Sequence, residues 1–310
     1  MINSESVLKA YENCILCPRK CGVNRLNGEN GFCRQTDKIR IARAALHYWE
    51  EPDISGVTNG DRQCPGSGAV FFSGCNMRCV YCQNHDISAD NRGYDILPED
   101  LSGEFIRLQD EGALNINLVT AAMHIPGVIL ALDNARKNGL TIPVIYNSSG
   151  YESIETLKML EGYVDIYLPD LKYLSKELAS EFSSAPDYPE VAKAAIHEMY
   201  RQCGERMIVR HLVLPGHTKE SMAVIKYLHE TYEDGIYISI MSQYTPVERF
   251  LKEAVRGDES YLIRHPELMR RITKREYDKV VNYALSLGIK NAYIQERSVA
   301  SESFIPDFTT

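Results

Sequence analysis

The stretch Ala69-Val-Phe-Phe-Ser-Gly-Cys75-Asn-Met-Arg-Cys79-Val-Tyr-Cys82 places three cysteines at C-x3-C-x2-C spacing directly after an apolar run. The run predicts a β-strand, and the Ser-Gly pair after it predicts the turn that opens a loop. Thiolates bind soft metals and iron–sulfur clusters, and a four-iron cluster normally takes one cysteine per iron. Because the loop holds three cysteines, one iron would stay open to a small molecule, as in catalytic metal sites. The alternatives are a zinc knuckle or a buried cysteine cluster.

The composition of the 310-residue chain is that of a globular protein, with 44% hydrophobic and 25% charged residues. Its length allows one barrel or two domains. The net charge of −8 argues against a general nucleic-acid binder. The polar start has no secretory segment, and no apolar run has the length of a membrane span. We therefore expect a cytoplasmic protein with no membrane partner, whose nine cysteines are reduced.

A second set of cysteines precedes the first strand, at positions Cys14, Cys17, Cys21 and Cys33. Four thiols in a glycine-containing segment predict a closed metal site, either a tetrahedral zinc ion or a second [4Fe-4S] cluster. Zinc would serve folding, whereas a cluster would relay electrons; the alternative is a group of partly buried free thiols. We expect two regions, a cysteine-rich metal-binding extension and linker over residues 1–68 and a partial barrel with C-terminal helices and tail over residues 69–310.

Apolar strand-like runs alternate with amphipathic helical patterns from residue 69 onward. Strands are predicted at 69–73, 115–120, 143–147, 163–168, 207–214 and 236–241, with one more at 291–295. Helices are predicted at 98–111, 126–138, 152–161, 188–202, 218–231 and 275–287. This alternation is typical of βαβ units, so it predicts an α/β protein with a partial parallel (β/α)6 barrel. No G-x-G-x-x-G motif follows the first strand, which disfavours a dinucleotide-binding sheet.

The cysteine spacing, with Tyr81 just before the last cysteine, resembles the radical S-adenosylmethionine (SAM) superfamily. More narrowly, residues 74–84 are similar to pyruvate formate-lyase activating enzymes, and a subgroup of activating-enzyme-like proteins carries a similar N-terminal cysteine set. The resemblance covers roughly residues 69–245. It implies a [4Fe-4S] cluster on the three cysteines of the loop, with SAM on the open iron and Tyr81 beside the cofactor. It also implies an electron donor such as flavodoxin or ferredoxin.

In enzymes of this kind an electron from the cluster cleaves SAM, and the 5′-deoxyadenosyl radical abstracts hydrogen from a substrate. The resemblance to activating enzymes implies a glycyl residue of a partner enzyme as that substrate. Two alternatives stay open: radical chemistry on a small molecule or another macromolecule, and a non-catalytic iron–sulfur or zinc protein. Such chemistry belongs to the cofactor and needs no side-chain nucleophile, which agrees with the lack of a convincing catalytic triad in the sequence.

Barrel sites lie at the carboxyl ends of the strands, so the residues there are the candidates for the site. After the second strand, Ala122-Met123-His124 stands where activating enzymes have a Gly-Gly-Glu motif that holds the SAM amino group. The motif is absent, so Thr120 or His124 is expected to take its place. A structural role is the alternative for His124.

The third strand ends in Asn147-Ser148-Ser149, which resembles the Asp-Thr-Asn-Gly stretch of activating enzymes. Hydroxyls and an amide at a strand end suit a carboxylate or a ribose, so we expect these residues to contact SAM. The alternative is that they cap the following helix, a role that Ser153 could fill instead.

The fourth strand ends in Asp170-Leu171-Lys172, similar to the Asp-Leu-Lys motif of activating enzymes. Residues two apart on a strand point the same way, so Asp170 and Lys172 are expected to face the interior together. They are candidate catalytic residues, or an ion pair that fastens the barrel mouth. On the fifth strand His211 is a third catalytic candidate, with a place in the core as its alternative.

Three other regions carry weaker patterns. Met241 and Gln243 follow the sixth strand and are expected to line the nucleotide or substrate space. The polar and aromatic residues at 47–51 are expected to pack and cap the barrel edge. The apolar tail at 304–308 is expected to pack across the barrel or to contact a partner.

Overall fold

A computed structural model describes residues 7–56, 65–247 and 264–295. Its strands are β1 (Ile39–His47), β2 (Ser67–Phe72), β3 (Tyr94–Ile96), β4 (Ile116–Val119), β5 (Val144–Ser148), β6 (Ile166–Pro169), β7 (Ile208–Leu212), β8 (Tyr237–Met241) and β9 (Ala292–Ile294). Its helices are α1 (Pro52–Ser55), α2 (His85–Ser88), α3 (Pro98–Asp110), α4 (Ile125–Lys137), α5 (Ile154–Met159), α6 (Lys176–Ser183), α7 (Tyr188–Cys203), α8 (Thr218–Tyr232) and α9 (Lys274–Ser286). None of the helices in these ranges is long and apolar enough to cross a membrane. The predicted tail contact at 304–308 lies outside the described residues.

The parallel strands follow one another in chain order, as predicted. Strands β2, β4, β5 and β6 pair in parallel within one sheet, and β7, β8 and β9 do so in a second. Two isolated parallel bridges, Tyr167 with Met207 and Asp170 with Arg210, join β6 to β7. Within the described residues β9 pairs with β8 and not with β2, so the strands form a partial barrel with an open side. This confirms the predicted fold class.

Two strands were not predicted from the sequence. Strand β1 pairs antiparallel with β2, with Ile41 opposite Phe72 and His47 opposite Ser67, and β3 pairs antiparallel with β1. Most of β1 is half-buried without alternation between buried and exposed positions, so it lacks the period of two that predicts a strand. The sheet therefore continues past the first barrel strand, and the chain leaves β1 at the amino end of β2.

The barrel interior is filled near the amino ends of its strands. Ile145, Leu168 and Ile208 point inward and pack around Ile54 of α1. Their strand neighbours point outward and pack against the helices in the larger core, because successive side chains of a strand face opposite sides of the sheet. On the open side, the hydroxyl of Tyr293 on β9 donates a hydrogen bond to Asp53 on α1. The segment after β1 thus lies at the open side of the barrel, in contact with β9.

Candidate active site

The cysteine loop lies in the wall of a cavity of about 490 Å³ at the carboxyl ends of the barrel strands. Cys75, Cys79 and Cys82 all line this cavity and are half-buried. The loop backbone is held by the last residues of α6: Arg78 N donates to the Ser183 carbonyl (3.2 Å), and Val80 N donates to the Phe182 carbonyl (2.8 Å). The carbonyls at the end of that helix, which have no partner within the helix, therefore anchor the loop.

Each of the three sulfur atoms has a polar neighbour. Met77 N donates to Cys75 Sγ (3.4 Å), Ser183 Oγ donates to Cys79 Sγ (3.1 Å), and Ser88 Oγ lies 3.3 Å from Cys82 Sγ. Burial raises the pKa of the Cys75 thiol to about 12, and burial also raises the pKa of Cys79. Such thiols ionise only beside a strong positive charge, which the iron of a bound cluster would supply. Three thiols, each with a hydrogen-bonding partner, fit a [4Fe-4S] cluster.

A chain of buried hydroxyls runs from the cavity to one of these sulfurs. Tyr81 lines the cavity, and its hydroxyl makes a short hydrogen bond with the hydroxyl of Tyr173. Tyr173 lies 3.0 Å from Ser183 Oγ, the same hydroxyl that donates to Cys79 Sγ. The sequence analysis missed Tyr173 and Ser183 because they lie more than ninety residues from the loop.

The predicted residues at the ends of β4 and β5 line the same cavity. These are Thr120, Asn147, Ser148 and Ser149. The φ angle of Thr120 is +61°, a strained conformation for a β-branched residue, and its amide donates to the Asn147 carbonyl (2.9 Å). The Ser148 hydroxyl donates to the buried Glu152 (2.6 Å). Ser153 caps α5 by accepting a hydrogen bond from Thr156 N, so the strand end is not needed as a helix cap.

Asp170 and Lys172 face the cavity together, as the spacing predicted. Lys172 Nζ forms a short ion pair with Asp170 Oδ2. Burial alone would lower the pKa of Lys172, but the adjacent Asp170 carboxylate outweighs it and raises that pKa well above its usual value. Lys172 N donates to the Tyr188 hydroxyl (3.0 Å), which donates to the Ser149 carbonyl (2.8 Å). The cavity wall therefore carries a fixed pair of opposite charges beside the cysteine loop.

The two candidate histidines lie outside the cavity wall. His124 is fully buried, stacks on Phe72, and its Nε2 donates to the Ser73 carbonyl (3.1 Å). His211 points to the outer side of β7, where its Nδ1 donates to the Leu171 carbonyl (2.7 Å). Burial lowers the pKa of His124 to about 3 and also lowers the pKa of His211. These positions correspond to the alternatives of the sequence analysis, a structural role for His124 and a core position for His211.

Arg210 is an inward-facing residue of β7 that lines the cavity, and the sequence analysis did not select it. Its guanidinium is held by Glu50 and Glu51, and all three residues line the cavity. Residues 47–51 were expected to cap the barrel edge, but the structure places them in the cavity wall. Met241 and Gln243 also line it, as predicted.

None of the four N-terminal cysteines lies in the cavity wall formed by the described residues. Cys14, Cys17 and Cys33 are buried, and Cys21 is exposed. Burial raises the pKa of Cys17 to about 12 and also raises the pKa of Cys33. The buried Arg25 links this segment to the barrel, because its Nη1 donates to the Met123 carbonyl (2.7 Å) and lies 3.9 Å from Cys14 Sγ.

The two cysteine regions are in direct contact. The Arg19 and Arg78 guanidinium groups both stack on the Phe32 ring, at 4.0 and 4.3 Å from its centre. Arg19 Nε also donates to the Asn76 carbonyl in the cysteine loop (2.8 Å). A Cβ atom on Gly74 would lie 2.8 Å from the Cys33 carbonyl oxygen, so the two backbones approach closely here.

Together, a partial parallel barrel and a thiol loop in the cavity at its strand ends define a class of enzyme that uses a metal cluster at that position. The model of the radical SAM superfamily matches residues 69–228, and the chain belongs to that superfamily. An uncharacterized protein of Methanocaldococcus jannaschii is 30% identical over 292 residues, 91% of this chain and 77% of the relative. A second protein of that organism, also uncharacterized, is 25% identical over 70% of this chain and 65% of the relative. The pyruvate formate-lyase-activating enzyme of Streptococcus mutans serotype c is 23% identical over 51% of this chain and 62% of that enzyme.

Membership of the superfamily defines the type of reaction. The chain is an enzyme that uses a [4Fe-4S] cluster and SAM for radical chemistry. Its own residues provide a cavity wall with a fixed ion pair at Asp170 and Lys172, and a strained backbone at Thr120. Orientation of the reactants and exclusion of water are the contributions that a protein makes to such chemistry.

Proposed function

We propose that this enzyme abstracts a hydrogen atom from a glycyl residue of a partner enzyme. The proposal is based on the exposed residues of the cavity wall. Trp49 and Ile294 both line the cavity and are 37% and 44% exposed, so two large apolar side chains of the cavity wall reach the surface. Exposed apolar side chains beside a cavity suit contact with another protein. The likeness to an activating enzyme from Streptococcus mutans supports the same substrate class.

Within this proposal the site residues have separate roles. Cys75, Cys79 and Cys82 hold the cluster, which, with SAM bound, supplies a carbon-centred radical. Residues 147–149 and Thr120 bind the polar groups of SAM, and Tyr81 packs beside it. Asp170 and Lys172 orient the reactants as a fixed pair of charges. A flavodoxin or ferredoxin supplies the electron.

The test begins with enzyme reconstituted anaerobically and given SAM and dithionite. We expect 5′-deoxyadenosine and methionine in equal amounts; neither product, with iron confirmed present, would reject the proposed chemistry. Peptides from glycyl loops, deuterated at the glycyl α-carbon, then test the substrate. Deuterium in the 5′-deoxyadenosine supports a glycyl substrate, and unlabelled product throughout contradicts it.

Radical chemistry on a small molecule is the second candidate. It is favoured by the segment after β1, whose Asp53 accepts a hydrogen bond from Tyr293 and so narrows the open side of the barrel. Asp53→Ala separates the two candidates, because it removes this contact without touching the cysteine loop. For a peptide substrate we expect unchanged or faster deuterium transfer. No deuterium transfer from the peptides in either the wild type or the variant, with intact SAM cleavage, favours a small substrate in a closed cavity.

We further propose that Cys14, Cys17, Cys21 and Cys33 hold a second metal, as zinc or a [4Fe-4S] cluster. Burial of three of the four thiols supports this, because buried thiols in a small segment are stabilised by a shared cation. Metal analysis of a Cys75→Ala, Cys79→Ala, Cys82→Ala triple variant tests it. Zinc or iron that remains after chromatography supports the second site and identifies its metal, and a metal-free variant rejects it.

A further inference from the structure

The cavity continues from the cysteine loop to the segment that follows β1. His47, Trp49, Glu50 and Glu51 line it together with Arg210. SAM must reach the open iron at the cysteine loop, so the wall away from that loop is left for the substrate. The charges and polar groups of this part of the wall therefore indicate which kind of substrate the cavity binds.

The wall away from the cysteine loop has a net charge of −1, because Glu50 and Glu51 are negative and only Arg210 is positive. Arg210 donates to Glu51 Oε1 through Nε (2.9 Å), and its Nη2 forms short ion pairs with both glutamates. The side chains of Arg210, Glu50 and Glu51 are 12%, 9% and 6% exposed. Two carboxylates thus share one guanidinium, and a buried charge without a partner is costly.

Among the described residues, Asp170 and Lys172 pair with each other, and Asp53 on α1 adds a further negative charge. The charge of Arg43 acts on His47, and Arg43 has an interaction of its own. His47 lines the cavity and could gain a proton. Burial lowers its pKa from the usual value, so it stays neutral at neutral pH. A ligand with a positive charge would balance the charge of this wall.

We infer that the wall formed by Glu50, Glu51 and Arg210 binds an ammonium or guanidinium group of the substrate. This inference rests on the proposed function, and it assigns a substrate class to the same site. In a peptide substrate a lysine or arginine side chain would supply the cation.

The remaining groups in the wall suit an organic cation. The Ser239 hydroxyl lies beside Glu51, is buried, and has no hydrogen bond of normal geometry to the described residues. The rings of Trp49 and Tyr293 also line the cavity, and cations bind well against aromatic faces.

Other ligand classes fit less well. A divalent metal ion would have to displace Arg210 from the carboxylates, and an anion would add to the existing negative charge. An N–H donor can share the same carboxylate oxygens without displacing Arg210.

Three phenyl compounds of similar size but different charge test the inference: benzylammonium, benzyl alcohol and benzoate. We expect calorimetric titration of the reconstituted enzyme with SAM present to show tightest binding for benzylammonium and weakest for benzoate. This comparison uses the unchanged protein, so it does not depend on the folding of a variant. No binding of benzylammonium, or tighter binding of benzoate, overturns the inference.

Glu50→Gln supplies the second measurement, because it leaves Arg210 paired with Glu51 and brings the charge of the cluster to zero. We expect at least about tenfold weaker benzylammonium binding, the size of effect typical of one charged partner. The matched control is Glu198→Gln, which removes a buried carboxylate paired with Arg201 on the outer helix α7. Equal affinity in wild type and Glu50→Gln overturns the inference. Tight benzylammonium binding together with unlabelled 5′-deoxyadenosine from every deuterated glycyl peptide would instead count against the proposed function alone.

Discussion

The two cysteine regions differ in what surrounds their sulfur atoms. Cys75, Cys79 and Cys82 are half-buried in the wall of a cavity that also holds a fixed ion pair and the strand-end hydroxyls. The cysteines between Cys14 and Cys33 lie outside that cavity, and three of the four are buried by their own segment and the barrel. One set therefore faces space for reactants, while most of the other is buried away from that space. The proposed second metal would accordingly occupy a closed site, in contrast to the open site at the cavity.

The two cysteine regions also contact each other directly. Phe32 lies between the guanidinium groups of Arg19 and Arg78, and Gly74 lets the backbone of Cys33 approach the loop. A change in the N-terminal segment is thus passed to the cysteine loop through packing. The predictions below separate the two sets or test this contact.

The largest difference is expected between Cys79→Ala and Cys17→Ala. Cys79→Ala removes a cluster ligand, so dithionite-driven SAM cleavage should fall below detection while any N-terminal metal remains. Cys17→Ala should keep SAM cleavage per cluster close to wild type but lower the free energy of unfolding by a few kcal/mol, because metal binding to such sites is coupled to folding. Product analysis and denaturant unfolding, both under anaerobic conditions, measure the two effects. The opposite pattern would mean that the roles of the two sets are reversed.

Gly74→Ala tests the contact between the two regions. Its φ angle of +82° disfavours alanine, and the new Cβ would press on the Cys33 carbonyl and the Gln35 amide. We expect a loss of about 2–4 kcal/mol in the free energy of unfolding. The control is Gly162→Ala, with a φ angle of +81° and no atom within 4 Å of the new Cβ, which should cost only about 1 kcal/mol. Equal losses would show that the close approach contributes nothing.

His124 makes a pH-dependent contribution beside this contact. Burial and the nearby Arg25 lower its pKa to about 3 from a usual 6.5, so the folded state holds it neutral while the unfolded state gains a proton below pH 6.5. Stability should therefore fall as the pH drops, by about 2 kcal/mol between pH 6.5 and pH 5. His124→Gln should lack this part of the pH dependence in urea unfolding. Parallel pH profiles for the two proteins would contradict the assignment.

The smallest effect is expected from Ser183→Ala, which removes the hydrogen bond to Cys79 Sγ. Hydrogen bonds to cluster sulfurs raise the reduction potential, so the variant should be harder to reduce by some tens of millivolts, where about 59 mV is tenfold for one electron. Redox titration followed by electron paramagnetic resonance measures the shift. Ser183→Thr should restore the potential, and the exposed Ser180→Ala on the same helix should leave it unchanged. An unchanged potential in Ser183→Ala would remove Ser183 from the cluster environment.

The sequence was sufficient for the features that depend on local patterns. The parallel strands and the longer helices between them follow from apolar periodicity, and the reactive loop follows from the spacing of three cysteines within eight residues. By contrast, β1 could not be recognised, because its half-buried residues show no alternation and its pairing with β2 and β3 is a tertiary contact.

Two neighbouring residues of β7 show what the sequence alone could not determine. Alternation requires that Arg210 and His211 face opposite sides of the sheet, but it does not say which side is the interior of the barrel. The tertiary structure turns Arg210 inward, to glutamates that lie 159 and 160 positions away, and leaves His211 against the helices. The sequence by itself determined the fold class and the reaction type, because local patterns encode strands, helices and the thiol loop. Only the tertiary structure decided which charges line the cavity, because these pairs form between segments that meet only when the barrel folds.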